Sequence, residues 1–224
     1  MSRAGLLNYD MDPADLDPNG ICENQTTPGA ANLVLNGALC DLGTALQFDI
    51  GDAYSAGIGG VILSFDSAGD INTVNFTITG KDQDGVAVTE VVTGVTTTPV
   101  PTTKYYSQIT NIAADAQVTS NVFIGTLTAG GLVSKSVGLN HYSANEAVMA
   151  VSGKTGTVTF DLQQTFQDLN DPNPSTVTWF DVSSNQTADL AAACTLGATG
   201  CRLKFDSYSN GAELQFHVSY NPFR

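Results

Sequence analysis

The stretch ELQFHVSY, residues 213–220, limits the possible folds more than any other feature of the chain. Leu214, Phe216, Val218 and Tyr220 alternate with Gln215, His217 and Ser219. That period of two is the one at which successive side chains leave a pleated strand on opposite faces. A helix would scatter these apolar residues around its cylinder, whereas a strand gathers them on one side. The period recurs in TVNFTIT (73–79), where Val74, Phe76 and Ile78 oppose Asn75 and Thr77. It recurs again in GTVTFDLQQTF (156–166), with Val158, Phe160 and Leu162, and in CRLKFDSYS (201–209), where Leu203 and Phe205 oppose Arg202, Lys204 and Asp206.

Shorter strand-like runs fill much of the rest: LVLNG (33–37), ALQFDI (45–50), GVILSFD (60–66), KYYSQITNIAA (104–114), NVFIGTL (121–127) and STVTWFDVS (175–183). VAVTEVV (86–92) alternates imperfectly because Val91 and Val92 are adjacent, which predicts a bulge or burial on both sides. DPNP (171–174) and SNG (209–211) supply turns. SANEAVMAV (143–151) and TADLAAAC (187–194) are the only helical candidates, and both are short. Parallel strands need long crossover connections, usually helices, so a parallel α/β fold is excluded. The expected class is all-β: an antiparallel β-sandwich or jelly roll, in two packed sandwich domains with an extended N-terminal arm. The arm is expected over 1–30, where Pro13, Pro18 and Pro28 interrupt regular structure and Asp10, Asp12, Asp15 and Asp17 repel one another. The first sandwich is expected over 31–128 and the second over 129–224, with AGG (129–131) at the junction.

Eight Lys and Arg face 22 Asp and Glu, a formal charge of −14. Nucleic-acid binding needs clustered cations that displace counterions. Here Lys81, Lys104, Lys135, Lys154, Arg202 and Lys204 are scattered, so neither a nucleic acid nor an anionic membrane is an expected partner. No apolar run approaches the ~20 residues of a membrane helix. The stretch MSRAGLLNYDMDPADLDPNG lacks the apolar core of a signal peptide, so the expectation is synthesis and folding in a cytoplasm.

The residues offer no chemical site. In GKDQDG (80–85), Asp82 and Asp84 invite comparison with a calcium loop. Such a loop needs ligands at alternating positions and a closing Glu at the twelfth, whereas Glu90 falls at the ninth. Asp-Gly is a strong hairpin signal, so a hairpin is expected, with Asp84 starting or capping the turn and Asp82 a solvated tip. SGKTGT (152–157) contains Gly-Lys-Thr, but Val148 stands where a phosphate-binding loop needs its first Gly, and a strand follows rather than a helix. His141 and His217 are far apart and carry no metal-ligand spacing. No cofactor, metal or catalytic residue is expected. Cys194 and Cys201 flank a loop, and Cys22 could reach Cys40. Without an export signal, four reduced and partly buried thiols are expected.

Residues 60–126 carry the pieces SAGD, FTITGKDQDG, TEVVTG, KYYSQITNI and VFIGT in order. This segment resembles virion structural proteins of tailed bacteriophages, and RLKFDSYSNGAELQFHVSYNP (202–222) is similar to the closing strands of a phage β-sandwich. The resemblance implies a non-enzymatic virion protein on the capsid exterior, assembled in the host cytoplasm. The first choice is a head decoration or cement protein, a β-sandwich homotrimer bound to the major capsid protein. A neck, collar or tail attachment protein, or one with a receptor-binding face, is the alternative within the virion. A carbohydrate-binding module is the alternative of another class, and a single Trp suits it poorly. The expected partner contacts are Leu6, Leu7, Tyr9, Leu16 and Ile21 in the arm, and the aromatics Tyr105, Tyr106, Tyr142 and Phe223.

Overall fold

The computed structural model describes residues 5–41, 47–96, 98–126, 131–139, 147–169 and 177–220. In chain order the strands are β1 (Gly5–Met11), β2 (Cys22–Thr27), β3 (Ala31–Asn32), β4 (Cys40–Asp41), β5 (Gln47–Asp49), β6 (Ile58–Val61), β7 (Leu63–Ser67), β8 (Asn75–Lys81), β9 (Ala87–Thr93) and β10 (Val100–Pro101). They continue as β11 (Gln108–Ala114), β12 (Val118–Thr126), β13 (Leu132–Ser134), β14 (Val137–Gly138), β15 (Val148–Thr155), β16 (Val158–Thr165), β17 (Phe180–Gln186), β18 (Leu190–Ala193), β19 (Gly200–Tyr208) and β20 (Glu213–Tyr220). A single helical turn, α1 (Ile50–Ala53), follows β5 and is capped by the Asp49 carboxylate, which accepts from Gly51 N–H at 3.0 Å. The expected all-β class with antiparallel sheets is what the chain adopts.

The chain forms two compact units. The first comprises Ala14–Tyr54 and Gly59–Leu132; the second comprises Met1–Pro13, Ser55–Ile58 and Val133–Arg224. The first unit holds the sheets β10-β7-β12-β2 and β4-β5-β11-β8-β9, with β3 also on β11. Phe65 of β7 meets Phe76 of β8 at 5.5 Å between ring centroids, so the two sheets share one core, to which Phe48, Ile78, Ile109, Ile112 and Ile124 also contribute. The second unit holds β1-β20-β15-β18 and β17-β16-β19-β13, with β14 also on β19. Its core takes Met11, Met149, Val151, Leu214, Phe216 and Val218 from one sheet and Phe160, Leu162, Leu203 and Phe205 from the other. The alternations read in 73–79, 201–209 and 213–220 place their apolar sides inward.

Within the stretch 1–30, expected to be an extended arm, residues 5–11 and 22–27 are instead strands of two sheets. Residues Gly5 to Met11 pair along their whole length with β20, so this segment belongs to the second unit, and Cys22–Thr27 forms β2 of the first. The unit boundaries therefore differ from the expected 30/31 and 128/129 divisions. Both expected helices are absent over the described residues. Met149 and Val151 are buried from strand β15, and 190–193 is strand β18. LVLNG forms no strand, although Leu33 and Leu35 are buried and Leu33 N–H donates to Ile112 C=O.

VAVTEVV needs neither a bulge nor two-sided burial. The β8–β9 register runs unbroken from Asn75↔Thr93 to Lys81↔Ala87. Val92 faces the core, Val91 is 60% exposed, and the inward position two before Val92 is taken by Glu90. That carboxylate accepts from Thr103 N–H and Oγ1–H, Lys104 N–H and the Tyr106 hydroxyl. A partly covered charge with this many donors is satisfied in place.

The GKDQDG segment is a hairpin tip. Gly85 takes φ +79°, Gly85 N–H donates to Asp82 C=O, and Asp82 N–H donates to Val86 C=O. The roles of the two aspartates are the reverse of those expected. Asp82 Oδ1 accepts from Asp84 N–H at 3.0 Å and Val86 N–H at 2.9 Å, and the Asp84 side chain is the exposed one. The first carboxylate reaches forward over the turn because its own position starts it. In SGKTGT, Gly153 and Gly156 both take φ +65° where β15 turns into β16.

Candidate interaction face

The expected contact residues separate into three groups. Ile21 and Tyr106 are fully buried in the first unit, so neither offers surface to a partner, which corrects the expectation for both. Burial, with the Glu90 charge beside it, pushes the Tyr106 phenol well above its ordinary range. Tyr142 and Phe223 lie outside the described residues. Leu7 and Tyr9 are half-buried on the inner side of β1, with Tyr9 stacked on Phe216 at 6.4 Å; Leu16 and Tyr105 are also half-buried. Among the seven that are described, Leu6 alone is strongly exposed, at 61%.

Leu6 stands on the outer face of β1-β20-β15-β18, and the registers build that face row by row. The first row runs Leu6, Ser219, Val148, Ala193; the second runs Asn8, His217, Ala150, Ala191; the third holds Asp10, Gln215 and Ser152. Side chains of the first row are small or aliphatic. Those of the second and third are joined crosswise: His217 Nδ1 meets Asn8 Oδ1 at 2.6 Å, His217 Nε2 meets Ser152 Oγ at 2.7 Å, and Gln215 Nε2 donates to Asp10 Oδ1 at 3.3 Å. The face therefore has an apolar end bordered by Leu6 and Val148 and an end held rigid by a ladder of hydrogen bonds.

Serine, histidine and a side-chain amide in line suggest a nucleophile with its base and orienting group. The backbone N–H groups that follow Ser152 are engaged elsewhere. An acyl-transfer site aims backbone N–H groups at the developing oxyanion. Here the neighbouring N–H groups of Gly153 and Lys154 point at the Asp189 carboxylate, at 3.3 and 3.4 Å. The ladder works as a cross-strand tie between β1, β20 and β15.

The second unit carries a further polar face, on β17-β16-β19. Gln163 donates to Asp181 and accepts from Arg202 Nε, and the Arg202 guanidinium lies 4.2 Å from the Trp179 ring centroid. Lys204 Nζ bridges Asp161 at 3.0 Å and Asp206 at 2.6 Å, and Asn185 N–H donates to Asp161. Burial works against the Asp161 charge, but Asn185 N–H and Lys204 outweigh it and hold this carboxyl below the usual carboxylate range. Burial, with Asp161 nearby, pushes Asp206 up. Burial also works against the Lys204 charge, and the two carboxylates outweigh it and raise the ammonium above its ordinary value. These charges are engaged with one another. Beside them Trp179 covers Arg202, and the Phe166 and Phe180 rings meet at 60°. Among the described residues, Leu6 and Val148 are exposed apolar side chains at one end of the β1-β20-β15-β18 sheet.

Sequence reasoning had reached Leu6, and it placed His217 on a polar strand face. Val148, Ala191 and Ala193 were missed, because their segments read as helices. The nearest available signal was the strand-length spacing between Met149 and Val151. No protein-family model, no curated protein and no solved structure matches this chain.

Proposed function

We propose that this protein is a non-enzymatic structural component of a tailed-bacteriophage virion, a capsid decoration or cement protein that binds the major capsid protein on the outside of the head, as a homotrimer. The observation that carries the reading is the open outer face of β1-β20-β15-β18, where Leu6 and Val148 border small side chains in a plane fixed by hydrogen bonds. A face whose side chains are already tied by hydrogen bonds loses little entropy on docking, and small side chains let another surface approach closely. Two further features support it. The segment 60–126, which resembles phage virion proteins, falls within one compact unit. The net charge of −14 suits a surface that repels DNA.

The test is the copy number of the chain in purified particles, measured by quantitative mass spectrometry against the major capsid protein. A ratio approaching that of the shell protein is expected. A ratio of a few copies per particle assigns the protein to a neck or tail vertex instead, and absence from particles refutes the virion reading altogether.

A further inference from the structure

The four cysteines are buried and reduced, and they are distributed as two pairs, one in each unit. In the second unit, Cys194 and Cys201 lie beside the same residue of β16, Gln164. Their closeness is imposed by the surrounding backbone. Cys201 is registered opposite Gln164 on β16, and the Gln164 amide clamps Thr195 from both sides: Nε2 donates to Thr195 Oγ1 at 2.9 Å and Oε1 accepts Thr195 N–H at 2.7 Å. A turn closed by Ala198 N–H on Thr195 C=O brings the chain back, with exposed Gly197 at φ +94°. In the first unit, Cys40 Sγ donates to Ile21 C=O at 3.4 Å, next to Cys22. Leu39 N–H and Gly37 N–H donate to Gly20 C=O and Ile21 C=O. The two segments are pressed so close that a Cβ on Gly37 would lie 2.2 Å from Gly20 C and O.

We propose that Cys194–Cys201 and Cys22–Cys40 are two intra-unit disulfide sites, which close when the folded protein passes from a reducing to an oxidising medium. This inference rests on the cysteine geometry alone and is independent of where the protein acts. With glutathione disulfide as oxidant, one cysteine thiolate attacks a glutathione sulfur and expels glutathione thiolate. The second cysteine thiolate then attacks the resulting mixed disulfide and expels the other glutathione. Two thiols are oxidised, one glutathione disulfide is reduced to two glutathiones, and the two protons lost by the cysteines end on them. The pairs differ in readiness. The Cys201 side chain beside it holds the Cys194 thiol below its ordinary value although burial works against this, whereas Cys201 is raised, so Cys194 is the sulfur suited to attack first. Burial pushes Cys40 up to about 11 and raises Cys22 further, so this pair closes later.

The full chain, purified reduced, is incubated with glutathione disulfide, sampled over time by intact mass, and then mapped by digestion without reductant. The expected course is a species about 2 Da lighter, cross-linked at Cys194–Cys201, followed by one about 4 Da lighter that also carries Cys22–Cys40. The variant Cys201→Ser is expected to stop at a glutathione adduct on Cys194. Incubation is repeated in sub-denaturing urea, which admits the oxidant to buried thiols. Failure to lose mass in either condition, accumulation of adducts on the unmutated chain, or cross-links between the two units overturns the proposal.

Discussion

Replacing Phe216 by alanine asks what holds the N-terminal strand, and with it Leu6, in place. Phe216 is fully buried on β20, registered opposite Tyr9 of β1 on one side and Val151 of β15 on the other. Removing a buried phenylalanine side chain costs about 3–5 kcal/mol, from lost transfer energy and the cavity left behind. Part of that loss belongs to β1, because the Tyr9 ring stacks on Phe216 at an interplanar angle of 19°. An aromatic pair of this kind couples by about 0.5–1.5 kcal/mol beyond the area it buries. A double-mutant cycle of Tyr9→Ala and Phe216→Ala, followed by urea unfolding, is therefore expected to show coupling of that size. Hydrogen exchange supplies the local reading: in Phe216→Ala, amides of residues 5–11 should lose protection by a larger factor than those of β16 and β19. A cost for Phe216→Ala under about 1 kcal/mol would refute the packing argument, since no fully buried phenylalanine is that cheap to remove. Zero coupling with unchanged exchange over 5–11 would show that β1 is held by its backbone bonds alone.

Gly37→Ala drives a Cβ into the Gly20 carbonyl and should break the two backbone bonds that join these segments, lowering stability by about 2 kcal/mol in urea unfolding. Asp82→Ala removes the acceptor for Asp84 and Val86 N–H and should cost about 1 kcal/mol, with lost exchange protection confined to the β8–β9 tip. Lys204→Met leaves Asp161 and Asp206 facing each other without their cation; the site is partly screened, so the expected cost is about 2 kcal/mol. The pH dependence has a definite sign. The depressed Asp161 contributes stability that is present above the unfolded carboxyl value of about 3.9 and is lost as pH falls through its folded value. Asp206, whose pKa is raised, protonates first on acidification and offsets part of that loss by relieving its repulsion of Asp161. Without Lys204 the Asp161 pKa rises towards its unfolded value, so the mutant loses stability at neutral pH and the further fall on acidification, followed by circular dichroism in urea, should be shallower than in the unmutated protein.

Inward faces were legible wherever alternation was clean. Phe76, Ile78, Leu203, Phe205, Phe216 and Val218 all sit where a period of two places them. Legibility failed where composition and partner disagreed. The alanines of AVMAV and LAAAC favour helices in isolation, yet Met149 and Val151 bury one face of β15, and β18 finds its pairing on the β15 edge. Tertiary pairing here overrides propensity, as it readily does for short segments. Glu90 failed differently. A charged residue at an inward position looks like broken alternation until the loop carrying Thr103, Lys104 and Tyr106 is seen to supply its donors.

The interaction face was the least legible part, for a reason of distance along the chain. Periodicity states which face of a strand a residue takes, and it is silent about which strand lies alongside. Asn8 and His217, bonded at 2.6 Å, are 209 positions apart, and Asp10 and Gln215 are 205 apart. In GLLNYDM, Leu6 and Leu7 are adjacent, so the segment shows no clean alternation, and the proline at 13 argues further for an irregular arm. Its strand character comes from β20, whose own alternation is clean enough to leave a sheet edge with Leu214, Phe216 and Val218 on one side. Met11, Tyr9 and Leu7 extend that buried side, opposite Leu214, Phe216 and Val218 in turn. Once those three are fixed inward, the pleat leaves Leu6 no position but outward. The exposed leucine is thus a consequence of the half-buried tyrosine and the buried methionine on the same strand. A one-residue slip of β1 would bury Leu6 and expel Tyr9 from Phe216, so the register that shapes the core also presents the face.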